Sequence, residues 1–202
     1  GENTLIIFTS DNGAHCEGGH DYHFFQTTGK FRGFKRDLYD GGMHTPMFAR
    51  WSGTIPAGSK TDILSAFWDV MPTICELGGA PIPTQTDGIS FAPTLLGKKQ
   101  TKVHDYLYWE FPERSDRKHP GKEYKQAVVF DQWKVLKYID ADKVEVYNLA
   151  EDPSETNDIA HEYPQLVEKA LRYMDDSHIQ NSIFPMTKDC LLYTSDAADD
   201  KA

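Results

Sequence analysis

The chain has 202 residues, of which 39% are hydrophobic and 26% are charged, a composition typical of globular proteins. Its formal net charge of -10 argues against a nucleic-acid partner and gives no long-range attraction for an anionic substrate, so a few local cations would have to capture any anion. No apolar run is long enough for a membrane span, and three cysteines are too few for a disulfide framework.

The first predicted element is a buried strand at residues 4–9 (TLIIFT), a short apolar run rich in β-branched residues. Ser10-Asp11-Asn12-Gly13 follows it directly, at the edge of the sheet where open α/β folds bind their ligands. Asp11 and Asn12 offer a carboxylate and an amide oxygen, the hard ligands that Ca²⁺ or Mg²⁺ prefers. The same residues are a common turn sequence, and on their own they favour a turn over a metal site.

Residues 14–34 are rich in glycine, histidine and aromatic residues but show neither a helical nor a strand period, which predicts a long, ordered, functional loop. His15, Cys16, His20 and His23 have the side chains that zinc prefers. Their spacing fits no closed structural zinc site. We therefore expect the three histidines, together with Asp21, to line a substrate pocket instead.

The sequence pattern of the rest of the chain predicts two regions that differ in their secondary structure. A strand at residues 47–53 and a helix at residues 65–77 complete the first region. Pro72 within this helix predicts either a kink or a helix that begins near Asp69. Four short alternating or aromatic runs then predict an antiparallel meander, and apolar residues at helical spacing predict one amphipathic helix. The runs are residues 106–111, 126–130, 133–139 and 144–149, and the helix is residues 164–177. We expect a domain over residues 1–97 and a subdomain of antiparallel sheet and helix over residues 98–189.

The last residues break this pattern. Residues 190–202 (CLLYTSDAADDKA) resemble the conceptual translation of a transposase sequencing adapter, and we predict a foreign, disordered tail there. A native acidic tail would also be disordered and exposed. The same observation leads us to expect that the amino-terminal part of the protein is missing as well.

Two motifs at compatible spacing give the chain a family resemblance. Ser10-Asp11-Asn12-Gly13 is followed by residues 31–53, FRGFKRDLYDGGMHTPMFARWSG. In the same order, formylglycine-dependent sulfatases of the arylsulfatase family carry strand-SDNG, then L-R-G-x-K-x-x-x-x-E-G-G, and then a strand that ends in W-P-G. The segments AFWDVMPTICELGGAPIP and VYNLAEDPSETND extend the likeness. The chain thus resembles this family over nearly its whole length up to the suspect tail.

The resemblance implies an α/β fold, namely the C-terminal part of an alkaline-phosphatase-like sandwich with a small antiparallel sheet plus helix subdomain. It also implies that Asp11 and Asn12 are one pair of ligands of a single Ca²⁺ and that Lys35 contacts the substrate sulfate. A divalent ion and an ammonium group would stabilise the negative charge that develops on a departing sulfate. The formylglycine nucleophile and the other calcium ligands are expected upstream, so the chain alone is expected to be inactive.

The implied function is hydrolysis of sulfate esters, above all of sulfated carbohydrates, in the periplasm or outside the cell. The chain departs from the family pattern at Asp40, where Glu is commoner, and at His44, where Arg is frequent. One alternative is a phosphatase, phosphodiesterase or phosphonate hydrolase of the same superfamily, whose members usually bind two transition metals. Another is a non-catalytic glycan-binding protein. The strand-SDNG and lysine motifs favour the sulfatase.

Overall fold

The computed structural model describes residues 1, 3–15, 18–113, 123–139 and 141–181. They form two units: unit 1 contains Gly1–Gly13 and His44–Leu107, and unit 2 contains Ala14–Met43 and the chain from Tyr108 onward. The predicted foreign tail at residues 190–202 and the cysteine of the zinc alternative, Cys16, lie outside the described residues. The predicted domain boundary at residue 97 stays a prediction.

The secondary structure follows the predicted order. The strands are β1 (Ile6–Thr9), β2 (Met47–Arg50), β3 (Leu107–Glu113), β4 (Glu123–Phe130), β5 (Trp133–Tyr138) and β6 (Lys143–Asn148). The helices are α1 (Tyr22–Phe25), α2 (Asp40–Met43), α3 (Val70–Gly78), α4 (Ala92–Leu95) and α5 (Pro164–Ser177), with a 3-10 turn at Phe67–Asp69 before α3. The predicted strands and the two longer helices, α3 and α5, are confirmed. The sequence does not predict α1, α2 and α4, because a helix of about one turn is too short to show a hydrophobic period.

The β1–β2 pair of unit 1 is antiparallel, with Ile6 opposite Arg50 and Thr9 opposite Met47. The predicted burial of β1 is wrong: Phe8 is 67% exposed, and its ring contacts the exposed Phe48. An apolar, β-branched run favours a strand, but burial also requires a layer that covers the strand. Among the described residues no such layer covers Phe8.

Asp69 organises the rest of unit 1. Its carboxylate is buried, and Oδ1 accepts hydrogen bonds from the Ile89 N–H at 2.8 Å and from His104 Nε2 at 2.7 Å. Oδ2 accepts the Ala66 N–H at 2.8 Å. One turn later, the Thr73 hydroxyl donates to the Asp69 carbonyl at 2.6 Å. These bonds fix the start of α3 to the segment that follows the helix in sequence.

Unit 2 is built on a four-stranded antiparallel sheet in the order β3-β4-β5-β6, which confirms the predicted meander. Helix α5 packs on this sheet through Ala170 and Met174, which are fully buried. Leu38 and Tyr39, which precede α2, are part of the core formed by the sheet. The segment before α2 is therefore anchored in the sheet by its own hydrophobic side chains. In the described part of the chain, no helix has the length and apolar character needed to cross a membrane.

A carboxylate surrounded by tyrosines lies within this core. Glu145 Oε2 accepts a hydrogen bond from the Tyr147 hydroxyl at 3.0 Å and lies 2.7 Å from the Tyr39 hydroxyl and 3.1 Å from the Tyr138 hydroxyl. The Tyr39 and Tyr138 hydroxyls are also 2.5 Å apart, so one of the two donates to the other and only the remaining proton of the pair reaches the carboxylate. Lys143 Nζ contacts Glu145 Oε1 at 2.6 Å.

These contacts set the pKa of the groups in opposite directions. Burial alone would raise the pKa of Glu145, but the hydrogen bonds from Lys143, Tyr39 and Tyr147 outweigh burial and hold that pKa below its ordinary value. Burial, followed by the hydrogen bonds with Tyr138 and Glu145, raises the pKa of Tyr39. Glu145 is therefore charged and the tyrosine neutral at neutral pH, as the hydrogen-bond pattern requires.

Replacing Asp69 by Asn tests the first of these clusters. The variant introduces an N–H2 group that faces backbone N–H donors, so Asp69→Asn should lower the free energy of unfolding by about 1–3 kcal/mol. Urea unfolding measures the difference. The exposed Asp62 provides the matched control, and equal stabilities of Asp69→Asn and Asp62→Asn would contradict the assigned role.

The pKa of Glu145 predicts a pH dependence of stability. Because the pKa in the folded state lies below the ordinary value of 4.5, the charged carboxylate contributes stability that is present above this pH and is lost as the pH falls through the folded pKa. Glu145→Gln should be less stable than wild type at neutral pH, and the difference should narrow below pH 4.5. Urea unfolding across this range measures it, with the exposed Glu151→Gln as control. A difference that stays constant with pH would refute the assignment.

Candidate functional site

Lys35, the residue predicted to contact the substrate sulfate, lies on a closed loop formed by residues 32–41, here called the Lys35 loop. The Gly41 N–H donates to the Arg32 carbonyl at 2.7 Å and closes the loop. Inside it, Asp37 Oδ2 accepts the Phe34 N–H at 3.0 Å, and the Asp37 N–H donates to the Phe34 carbonyl at 2.8 Å. The Lys35 N–H donates to the Ala14 carbonyl at 2.6 Å. The backbone at Lys35 is therefore held on both sides, while its side chain is half-buried.

Close backbone packing explains the two glycines of the motif. A Cβ atom on Gly41 would lie 2.2 Å from the Gly33 carbonyl oxygen, and one on Gly42 would lie 2.2 Å from the Asp37 carbonyl oxygen. Gly33 itself has φ +77°, which favours glycine. Side chains at these positions would push α2 away from the turn that carries Lys35.

Arg32 attaches the start of the loop to the sheet and to the turn that follows β6. Its guanidinium donates from Nη1 to the Tyr147 hydroxyl at 3.1 Å and to the Glu155 carbonyl at 2.8 Å. The same group lies 3.9 Å from the centre of the Tyr39 ring, a cation–π contact.

A buried ion cluster attaches the end of the loop. Lys134 of β5 has no exposed surface, and its Nζ lies 2.7 Å from Asp40 Oδ1 and 2.8 Å from Glu155 Oε1. The contact with Oε1 is a charge contact whose geometry does not meet that of a hydrogen bond. Glu155 Oε2 accepts the Asp40 N–H at 2.7 Å. Burial raises the pKa of Glu155, although the nearby Lys134 opposes this effect. Asp40, the departure from the family pattern, thus has a structural role.

The sequence motifs contain Asp40 and Glu155 but do not reveal their common partner. Lys134 stands in an alternating strand, where a lysine is normally read as solvent-facing. The signal available in the sequence is the strand period: Lys134 alternates with Leu136 and Tyr138 in the run WKVLKY, so it shares their face, which is buried.

The predicted calcium ligands, Asp11 and Asn12, lie in unit 1, at the turn after β1. Asp11 is exposed and Asn12 half-buried. The Asn12 amide nitrogen donates to the Gly13 carbonyl at 3.0 Å, and the Ser10 hydroxyl donates to the Asn12 carbonyl at 2.9 Å. Carboxylate and amide oxygens fit the chemistry of Ca²⁺, but they are two donors where this ion takes about six to eight. No group of three or more His, Cys, Asp or Glu that could hold a metal occurs within the described residues.

The predicted substrate-lining residues lie in unit 2, as Lys35 does. The rings of His15 and His20 are 5.6 Å apart, and His20 stacks on Phe25 at 5.3 Å. Asp21 begins α1, because its Oδ1 accepts the N–H groups of His23 and Phe24, each at 3.0 Å. The structure therefore brings His20 to His15, which follows Ala14, the residue whose carbonyl accepts the Lys35 N–H. The substrate contacts of His15, His20, Asp21 and His23 stay a prediction.

Comparison with known proteins matches this fold to sulfatases. The family described as N-sulphoglucosamine sulphohydrolase, C-terminal, matches residues 29–179. The uncharacterized sulfatase YdeN of Escherichia coli K12 is 39% identical over 110 residues, which are 54% of this chain and 19% of YdeN. The N-acetylglucosamine-6-O-sulfatase of Bacteroides thetaiotaomicron is 28% identical over 205 residues, which are 96% of this chain and 34% of the relative.

Solved structures agree. A protein determined in complex with its substrate D-glucosamine-2-N,6-O-disulfate has a TM-score of 0.69 at 23% identity, over 87% of this chain and 34% of that one. The phosphonate monoester hydrolase of Agrobacterium radiobacter has a TM-score of 0.60 at 25% identity, over 88% of this chain and 36% of the hydrolase. The chain thus spans about a third or less of the length of these proteins. It belongs to the N-sulphoglucosamine sulphohydrolase C-terminal family and has the fold of the C-terminal part of alkaline-phosphatase-like sulfatases.

Proposed function

We propose that the chain is the C-terminal part of a sulfuric ester hydrolase that removes sulfate groups from sulfated carbohydrates. The family match carries this proposal, because residues 29–179 include both the Lys35 loop and the turn with Glu155 that holds it. The B. thetaiotaomicron relative is named for a sulfated amino sugar, which supports the carbohydrate class. By the same resemblance we place the enzyme in the periplasm or outside the cell.

Lys35 is the residue of this chain that acts on the substrate in the proposed reaction. Its ammonium group would contact the sulfate and stabilise the negative charge that grows as the ester bond breaks. A chain with a net charge of -10 does not attract sulfate as a whole, so a fixed local cation is needed. Hydrogen bonds hold the backbone at Lys35, so only its side chain has to adjust when substrate binds. This reduces the reorganisation that binding requires.

Asp11 and Asn12 would supply part of the ligand set of one Ca²⁺, and further ligands would come from outside this chain. When bound, this ion supplies positive charge that polarises the sulfate oxygens. A formylglycine nucleophile is likewise proposed outside this chain, which leaves the chain alone without hydrolytic activity. His15, His20, His23 and Asp21 are proposed to face the sugar.

Lys35→Ala tests the central role. In the complete protein, this change should lower kcat/KM for a sulfate ester by about 100-fold or more, because one charge-stabilising contact contributes roughly this factor. Fluorogenic aryl sulfate and N-acetylglucosamine-6-sulfate are suitable substrates. Lys99→Ala, an exposed lysine outside the motif, is the matched control. Wild-type kinetics of Lys35→Ala would remove this residue from the site.

The similarity to a phosphonate monoester hydrolase supports a second candidate, hydrolysis of phosphate or phosphonate esters. The two candidates differ in substrate preference and metal content. A higher kcat/KM for a phosphonate monoester than for the matching sulfate ester, together with two bound transition-metal ions, would replace the sulfatase proposal.

Asp11→Ala tests the calcium ligand. Loss of a direct carboxylate ligand should weaken Ca²⁺ binding by the complete protein at least about tenfold, since changes even in groups that only support a ligand have effects of this size. Calorimetric titration with Ca²⁺ measures the affinity, and the exposed Asp62→Ala is the control. Equal affinities of wild type and Asp11→Ala would exclude Asp11 from the ligand set.

A further inference from the structure

Glu155 joins the two ends of the Lys35 loop. Its carbonyl accepts the Arg32 guanidinium at 2.8 Å, and its side-chain Oε2 accepts the Asp40 N–H at 2.7 Å. Arg32 begins the loop and Asp40 lies at its end, so one residue holds both. We infer that Glu155, held in turn by Lys134, is a positioning residue that sets the location of Lys35. This inference rests on the proposed function, in which Lys35 contacts sulfate.

The environment of Glu155 is unfavourable in ways that a purely structural residue could avoid. Its side chain has no exposed surface, and its backbone has φ 51°, a left-handed conformation that is uncommon for a residue other than glycine. A buried carboxylate beside a buried ammonium costs solvation, and a well-packed apolar pair often gives equal or better stability. Strained backbone that persists in this way is concentrated at functional sites.

The turn before Glu155 is built to hold this conformation. Asp152 accepts the N–H groups of Thr156 and Asn157, each at 2.8 Å, and its carbonyl accepts the Glu155 N–H at 3.1 Å. Lys134 then fixes the carboxylate, since its Nζ contacts Oε1 at 2.8 Å. Contacts with residues outside the Lys35 loop thus hold both the backbone and the side chain of Glu155.

Displacement at Asp40 would be transmitted to Lys35 by backbone contact. Gly41 packs so closely on the Gly33 carbonyl, and Gly42 on that of Asp37, that an added Cβ would lie 2.2 Å from each oxygen. The Phe34–Asp37 turn that carries Lys35 therefore has no room to move independently of α2. The Glu155 carboxylate holds the Asp40 end of the loop, while the Glu155 carbonyl holds Arg32. Loss of the carboxylate should therefore release the Asp40 end and shift Lys35 rather than only loosen the sheet.

A double-mutant cycle on the complete enzyme tests this coupling. Glu155→Leu should lower kcat/KM for an aryl sulfate by about 10- to 100-fold per folded molecule, the effect of a misplacement of about 1 Å. If Glu155 acts through Lys35, the same change in a Lys35→Ala background should have almost no further effect. A role in stability alone would lower the melting temperature but leave kcat/KM per folded molecule unchanged in both backgrounds.

Two matched variants complete the design. Glu155→Gln keeps an oxygen that can accept the Asp40 N–H, so it should restore most of the activity lost in Glu155→Leu. Glu151→Leu removes an exposed carboxylate from the same turn region and should leave kcat/KM unchanged. If Glu155→Leu does not fold, Arg32→Met removes the other attachment of the loop through a more exposed side chain, and the same cycle applies.

The outcomes separate this inference from the proposed function. A wild-type enzyme without sulfatase activity, or a fully active Lys35→Ala, would overturn both. An active wild type and an impaired Lys35→Ala, combined with equal effects of Glu155→Leu in the two backgrounds, would overturn the positioning role alone. Non-additivity together with rescue by Glu155→Gln would support it.

Discussion

The ion cluster of Lys134, Asp40 and Glu155 is the constraint on which unit 2 depends. An ammonium group without contact to water is costly unless carboxylates compensate it, and these two approach within 2.7 and 2.8 Å. The three residues come from β5, from the start of α2 and from the turn after β6. Removing Lys134 would leave two buried carboxylates without this cation, so the cluster favours a fold in which three segments distant in sequence meet at one place.

A second buried network lies in the same core and serves the same loop. Glu145 accepts hydrogen bonds from tyrosine hydroxyls, and the Tyr147 hydroxyl also accepts the Arg32 guanidinium. Tyr39 contributes its ring to the core and its face to Arg32. The residues that fill the core therefore also fix the path of the Lys35 loop. In unit 2, the contacts that stabilise the core thus also set the position of Lys35, the candidate anion-binding residue.

The sequence predicted the elements well where their side chains repeat with a period. Alternation identified β4, β5 and β6, and helical spacing identified α5 with its bounds. The error at β1 has a physical cause: the apolar run TLIIFT records a preference for burial, while the actual exposure of Phe8 depends on what packs against the strand. Asp69 shows the reverse case: the sequence placed it in the segment AFWDVMPTICELGGAPIP but did not reveal its hydrogen-bond partners Ile89 and His104.

By itself the sequence determined the order of elements, the family and the residue types available for binding Ca²⁺ and sulfate, because periodicity and motif spacing are local properties of the chain. Only the tertiary structure decided that Lys134 is buried and that it pairs with Asp40, 94 positions away in sequence. It also decided that Glu155 holds both ends of the loop around Lys35. Such pairings depend on how separate segments pack, and the burial that makes a charge demand a partner exists only after packing has occurred.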